Sequence, residues 1–270
     1  NRYPDPLANP LRELIGKAWG YDREYVLMGN GGDELLFDFA LCWGGPERTM
    51  LTCPPTFSVY EANAVLTDTQ VVSIPRKSDF SLDEEAILAR IAQGDIDYAI
   101  LTSPNNPTGN TASPAFIEKL LKTSDTLIMV DEAYGEFGGE SMIPYLDRYP
   151  NLVVLKTFSK AYALAGVRLG YVLANPQVIR EFIKVRLSAR PSTKTAHCSS
   201  RASKRSSTSA RSCLKNLPRF LALKSILHKR TSSSCVFRML IASGSSCLNV
   251  AFSYATFPQL PASRIVCASR

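Results

Sequence analysis

Between Tyr25 and Leu173 the chain alternates short apolar runs with amphipathic stretches, a rhythm that few architectures accommodate. The runs Tyr25–Met28, Thr49–Cys53, Gln70–Ile74, Tyr98–Thr102, Thr126–Val130, Leu152–Phe158 and Leu169–Leu173 have the length of strands. Helix-like stretches separate several of them: Asp33–Trp43, Phe57–Leu66, Leu82–Ala92 and Ser113–Lys122. Ser81 with Glu84 three positions on predicts a capping box, and Ser113 before Pro114 predicts an N-cap with proline in the first turn. Strands without polar alternation are buried on both faces, and helices between them supply the cover. The expectation is an α/β fold with a mostly parallel sheet and helices on both sides. Ligands of such sheets gather at the carboxyl ends of the strands.

Charge divides the chain at Leu187. Residues 1–187 hold 17 Lys and Arg and all 24 Asp and Glu, a balance of −7. Residues 188–270 hold 14 basic residues, 19 serines and no acid, so the overall +7 averages two unlike segments. The expected organisation is a segment 1–24, a ligand-binding domain 25–187 and a basic tail 188–270. With one glycine in 83 residues and no surface balance of charge, the tail does not read as a packed domain. Three readings remain for it: a disordered tail, a nucleic-acid-binding arm, or the product of a shifted reading frame replacing the original C-terminal region. Two of its apolar patches, Phe220–Leu227 and Val236–Ala242, could be helical. The tail cysteines have no CxxC pair, so no metal site is expected, and without a secretory signal no disulfide framework is either. No apolar run approaches a membrane span, and a cytoplasmic protein is expected. The chain opens on Asn1, which reads as a start in mid-protein or as processing.

Four segments carry polar residues at or beside strand ends. Gly29-Asn30-Gly31-Gly32-Asp33-Glu34 opens a helix; it could be a simple turn and cap, or backbone N–H groups arranged around an anion. Ser103-Pro104-Asn105-Asn106-Pro107-Thr108-Gly109 is a rigid loop that leaves amides available as donors. Val130-Asp131-Glu132-Ala133-Tyr134 ends a strand in adjacent acids. Asp131 could cap a helix, bind a metal, or hold a proton on a heteroaromatic nitrogen. Thr157-Phe158-Ser159-Lys160 places a lysine at a strand end, with Arg168 beyond it. Lys160 reads as a solvated surface charge or, when desolvated, as a nucleophile toward aldehydes.

Together these segments, with Ala165-Gly166-Val167-Arg168-Leu169-Gly170-Tyr171, resemble the fold-type-I pyridoxal-phosphate aminotransferases. Asn1-Arg2-Tyr3-Pro4-Asp5 and Cys53-Pro54-Pro55-Thr56-Phe57 bring the resemblance closest to the histidinol-phosphate aminotransferases. The resemblance covers about residues 1–187 and implies a role for each matching position. Lys160 bonds to the cofactor aldehyde, Asp131 pairs with the pyridine nitrogen, and Asn106 and Tyr134 hydrogen-bond the ring O3′. Phe57 stacks on the ring. Backbone N–H groups of Gly32 and Asp33, with Ser159 and Arg168, hold the cofactor phosphate. Tyr3 reaches the phosphate of a neighbouring subunit, which implies a homodimer. The catalytic set is then Lys160, Asp131 and Tyr134.

The implied reaction is transfer of an amino group from histidinol phosphate to 2-oxoglutarate, which leaves as glutamate, in histidine biosynthesis. Within the same class, an aromatic aminotransferase and a threonine-phosphate decarboxylase share the motifs. From other classes come an inactive remnant and a nucleic-acid-associated protein. The first fifty or so residues of the family, and its small C-terminal domain with the arginine that grips the substrate carboxylate, find no counterpart in this chain.

Overall fold

The computed structural model describes residues 5–188, 238–241 and 250–253. It falls into two units, 1–215 and 216–270.

In the first unit the strands are β1 (Val26–Asn30), β2 (Thr49–Thr52), β3 (Gln70–Ser73), β4 (Tyr98–Thr102), β5 (Leu127–Asp131), β6 (Leu152–Thr157) and β7 (Leu169–Ala174). They form one sheet in the order β1-β7-β6-β5-β4-β2-β3. Ladders β2–β3, β2–β4, β4–β5 and β5–β6 are parallel, while β7 runs against both its neighbours. The α/β fold with a mostly parallel sheet is therefore present, and every expected strand is in it. Strands β4, β5 and β6 are buried at every position, as their mainly apolar runs demand, and the burial takes in Lys156 of β6.

The helices are α1 (Asn9–Trp19), α2 (Gly31–Trp43), α3 (Val59–Leu66), α4 (Glu84–Ile91), α5 (Pro114–Thr123) and α6 (Pro176–Ser188). Helix α5 starts as expected: the Ser113 hydroxyl accepts from the Phe116 N–H at 3.2 Å, and Pro114 occupies the first turn. Helix α4 starts differently. Asp83 is its cap, accepting from the Ala86 N–H at 3.3 Å, whereas Ser81 is bonded to Asp79 through both its N–H and its hydroxyl. A carboxylate nearer the first turn, favoured also by the helix dipole, displaces the serine. Helix α1 was not expected within residues 1–24, although Pro10 in its first turn and Gly20 at its C-cap mark both ends. Packing between sheet and helices centres on Phe39 of α2, whose ring meets those of Trp43, Tyr98 and Phe182.

In the second unit, β8 (Arg238–Ile241) pairs antiparallel with β9 (Val250–Ser253). The apolar patch Val236–Ala242, whose sequence allowed a helix, contains a strand: branched and apolar residues in so short a run suit either state until a partner strand decides. Phe220–Leu227 and Tyr3 lie outside the described residues.

Candidate active site

The register of the sheet brings all four polar segments to one edge. Thr102 pairs with Asp131, Asp131 with Leu155, Thr157 with Gly170 and Asn30 with Leu169. Because β7 is reversed, its first residues lie at the carboxyl ends of the parallel strands. Arg168, the residue before β7, is thereby delivered to the same edge as Lys160. The approach is tight: a Cβ on Gly170 would lie 2.6 Å from the Gly31 carbonyl carbon, so this crossing needs glycine.

One pocket results, enclosing about 560 Å³ of space that includes some open solvent. Nine of the ten expected site residues line it: Gly32, Asp33 and Phe57; Asn106, Asp131 and Tyr134; Ser159, Lys160 and Arg168. The tenth, Tyr3, is outside the described residues.

Asp131 is the most buried of the expected charged residues, 3% exposed. Its carboxylate accepts from the Tyr60 hydroxyl at 2.7 Å and from the Ala133 N–H at 2.9 Å. Burial pushes its pKa up against the pull of those two donors, with Glu132 opposing ionisation and Lys156 favouring it. A buried carboxylate in this state gains from a cationic partner placed in the pocket. Tyr60 in turn has Thr102 Oγ1 at 2.8 Å from its phenol oxygen. Burial and the nearby Asp131 hold the phenol well above its usual pKa, so it stays a donor.

The two asparagines of the loop after β4 divide their tasks. Asn105 is buried and braces the loop, donating to the Pro55 carbonyl at 3.0 Å and to Thr108 at 2.8 Å while accepting from Thr56 at 2.7 Å. Asn106 faces the pocket. Lys160 is exposed, with its ammonium 5.4 Å from the centre of the Tyr134 ring and no carboxylate within ion-pair distance among the described residues. Phe57 meets Tyr60 edge-on and forms an apolar wall.

At the other end of the pocket, α2 begins at Gly31 with its first N–H groups unpaired within the helix. Gly31 sits at φ +81°, and a Cβ there would lie 2.5 Å from Arg168 Nη2. Glycine is required on both counts. The Arg168 guanidinium meets Asp33 at 2.9 Å. Ser159 is held in a turn, its N–H donating to Thr157 Oγ1 at 3.1 Å. A helix start, a serine and an arginine together make an anion cradle.

Sequence reasoning missed Tyr60, Thr102 and Thr157. Tyr60 sits in an amphipathic helix, where an aromatic residue has the signature of core, and no spacing sets it apart. Among the described residues, no group of three or more histidine, cysteine or acidic side chains could hold a metal, and no helix is long and apolar enough to cross a membrane.

A mostly parallel sheet that presents a lysine, a buried carboxylate and an anion cradle along one edge is the large domain of a fold-type-I pyridoxal-phosphate-dependent transferase. Residues 1–230 match the family model "Aminotransferase class I and II", and the chain belongs to that family. It is 43% identical over 184 residues to a histidinol-phosphate aminotransferase of Desulfitobacterium hafniense, covering 66% of this chain and 51% of that protein. Among solved structures it is similar to the histidinol-phosphate aminotransferase of Sinorhizobium meliloti in complex with pyridoxal-5′-phosphate. There the TM-score is 0.61 and the identity 28%, over 67% of this chain and 51% of that one. It is also similar to L-threonine-O-3-phosphate decarboxylase of Porphyromonas gingivalis, with a TM-score of 0.58 and 27% identity over 67% and 54% of the two chains. The chain spans about half the length of the curated relatives it matches.

Proposed function

We propose that this chain carries the cofactor-binding half of a pyridoxal-phosphate-dependent aminotransferase that moves an amino group from histidinol phosphate to 2-oxoglutarate. The observation that carries the reading is the placement of three unlike groups in one pocket. Asp131 is buried at one position, Lys160 stands without an acidic partner among the described residues, and the cradle of Gly31–Asp33, Ser159 and Arg168 invites a phosphate. These residues fit a ligand with a basic ring nitrogen, an aldehyde and a phosphate.

When bound, pyridoxal phosphate supplies a protonated ring that withdraws electrons and makes the α-proton of an amino substrate acidic. Asp131 keeps the proton on the ring nitrogen by pairing with it, and Tyr60 and the Ala133 N–H hold that carboxylate still. Asn106 and Tyr134 donate to the ring O3′, and Phe57 covers a ring face. N–H groups of Gly32 and Asp33, the Ser159 hydroxyl and the Arg168 fork bind the phosphate. Lys160 Nζ would hold the cofactor through its aldehyde, and the same amine is the base placed to take the α-proton of an amino substrate.

The choice of histidinol phosphate rests on the names of the relatives and on the Asn1–Asp5 and Cys53–Phe57 motifs. In this reading the active species is a homodimer in which Tyr3 reaches the partner's cofactor. Residues 25–187 form the cofactor domain, and 188–270, a basic stretch without an acid, do not replace the small domain. The intact chain is then a weak transaminase. Trypsin would cut within 188–270 and leave a resistant fragment ending near Arg186; resistance throughout, together with ordinary turnover of histidinol phosphate, would overturn that part.

The central assignment is tested by mixing the chain with pyridoxal phosphate, reducing with borohydride and mapping the modified peptide. Label on Lys160 and a visible absorbance band, both lost in Lys160→Ala, are expected. The same band and label yield in the Ala variant would sink the assignment.

A further inference from the structure

A second lysine lies beneath the pocket and is not part of its lining. Lys156, on β6, is 1% exposed. Its ammonium is 3.1 Å from Glu132 Oε2 and 3.1 Å from Glu136 Oε1. The Trp19 ring lies 5.6 Å away, and Trp19 donates to the Tyr171 hydroxyl at 3.2 Å. Glu132 is saturated, since it also accepts from the Ser141 hydroxyl and the Met142 N–H, each at 2.7 Å. Burial first, and then the charge of the nearby Glu136, hold the Tyr162 phenol above its usual pKa. A Cβ on Gly135 would come within 3.0 Å of the Lys156 ammonium, so the loop after β5 closes directly on it.

Both carboxylates of this ammonium, and the residues packed around them, are near neighbours in sequence of pocket groups. Glu132 follows Asp131, Gly135 and Glu136 follow Tyr134, and Tyr162 lies two residues past Lys160. Two fully buried charges and a third that is largely buried are an expensive way to join two segments; apolar packing of the same volume is commonly as stable or more so. Their presence therefore calls for a reason other than stability. Burial works against the charge of Lys156, but its two carboxylates more than offset that and hold its pKa above the usual lysine value. It stays a cation and is no candidate nucleophile. Of the groups acting on Asp131, burial and Glu132 oppose ionisation, Tyr60 and the Ala133 N–H favour it, and Lys156 is the one cation among them.

We propose that Lys156 is a positioning residue of the pocket. Its ammonium ties the segment bearing Asp131 and Tyr134 to the segment bearing Lys160, and it helps keep Asp131 ionised. This rests on the cofactor reading above, in which the charge on Asp131 is what retains the protonated ring.

The test is the affinity of the chain for pyridoxal phosphate as a function of pH, followed by quenching of its tryptophan fluorescence. Circular dichroism and thermal melting of the cofactor-free proteins accompany it. In Lys156→Met the affinity near pH 8 should fall about tenfold, and the acid limb, where binding fades as pH drops, should move up by about one pH unit. A residue that only fills space would lower affinity equally at every pH. Lys156→Arg should restore the wild-type limb. Tyr162→Phe, which removes the phenol beside Glu136 without moving a charge, should weaken binding about threefold and leave the limb in place. A folded Lys156→Met with the wild-type limb would overturn the proposal. If that variant fails to fold, wild-type affinity in Tyr162→Phe would overturn it. A wild-type chain that binds no pyridoxal phosphate at any pH would instead overturn the cofactor reading itself.

Discussion

Lys156 and Lys160 stand four positions apart on one segment, yet the fold gives them opposite environments. Lys156 ends inside the protein between two carboxylates, while Lys160 emerges at the strand end over the Tyr134 ring with no acid beside it among the described residues. The difference lies in which side of the sheet edge each position occupies. A charge that is desolvated and fully paired holds neighbouring segments together and acts on the pocket only through its field. A charge left unpaired in a pocket is available for chemistry, and the two cannot exchange roles.

The largest effect expected is at Asp131, which shares the pocket with Lys160 and feels the charge of Lys156. In a full-length relative carrying the same Val-Asp-Glu-Ala-Tyr segment, replacing the aspartate by alanine should lower turnover by about 10³-fold, a larger loss than the loss in cofactor affinity. Near-normal turnover there would reduce Asp131 to a structural cap.

Stability should separate the lysines themselves. Lys156→Ala leaves two buried carboxylates without their cation and should cost about 3–5 kcal/mol in urea unfolding. Lys160→Ala removes an exposed side chain and should change stability by less than about 1 kcal/mol. Equal losses would mean that the contrast between paired and unpaired lysine is without energetic consequence.

The cradle offers a smaller effect of another kind. Gly31→Ala places a Cβ at φ +81° and against Arg168, which should cost about 1–2 kcal/mol and weaken pyridoxal-phosphate binding. Arg168→Ala should relieve the clash but weaken binding as well. If both variants bind like wild type, the phosphate does not lie there.

Asp38 of α2 sharpens the rule at the low end. It is a buried carboxylate with one oxygen, Oδ2, lacking any hydrogen-bond partner among the described residues, and burial pushes its pKa up to about 6. Glu34 adds to that shift, while Arg186 works against it. The folded-state pKa is raised above the ordinary 3.8, so the stability linked to Asp38 is fully present below about pH 4 and is lost as pH rises through about 6. Asp38→Asn removes the ionisation and should stabilise the protein at pH 7–8 by about 1–2 kcal/mol, with the advantage over wild type shrinking toward pH 4. A gain that does not depend on pH would rule out titration as its cause.

Much of the site was legible because its parts are contiguous in sequence. The loop Ser103–Gly109 and the segment Val130–Tyr134 each carry their chemistry within a few residues, and a strand end fixes where such a segment must lie. Tyr60 was not legible, since its role comes from an oxygen 2.7 Å from a carboxylate 71 positions away. Lys156 did leave a trace: a lysine inside the apolar run Leu152–Phe158 has to find an acid if the strand is buried on both sides. Which acids it finds could not be read from the run. The capping of α4 was misjudged for a related reason, because Ser81 and Asp83 are both good caps and only the path of the chain chooses Asp83.

By itself the sequence determined the alternation of strands and helices, the seven strands of the sheet and the four polar segments. These follow from local periodicity and from residue types whose conformations are narrow, such as proline and glycine. The tertiary structure decided the strand order, the reversal of β7 that carries Arg168 to the edge holding Lys160, and the burial that separates one lysine from the other. Those outcomes depend on pairing between residues distant along the chain and on which groups lose their water, and neither is encoded in any one stretch of sequence.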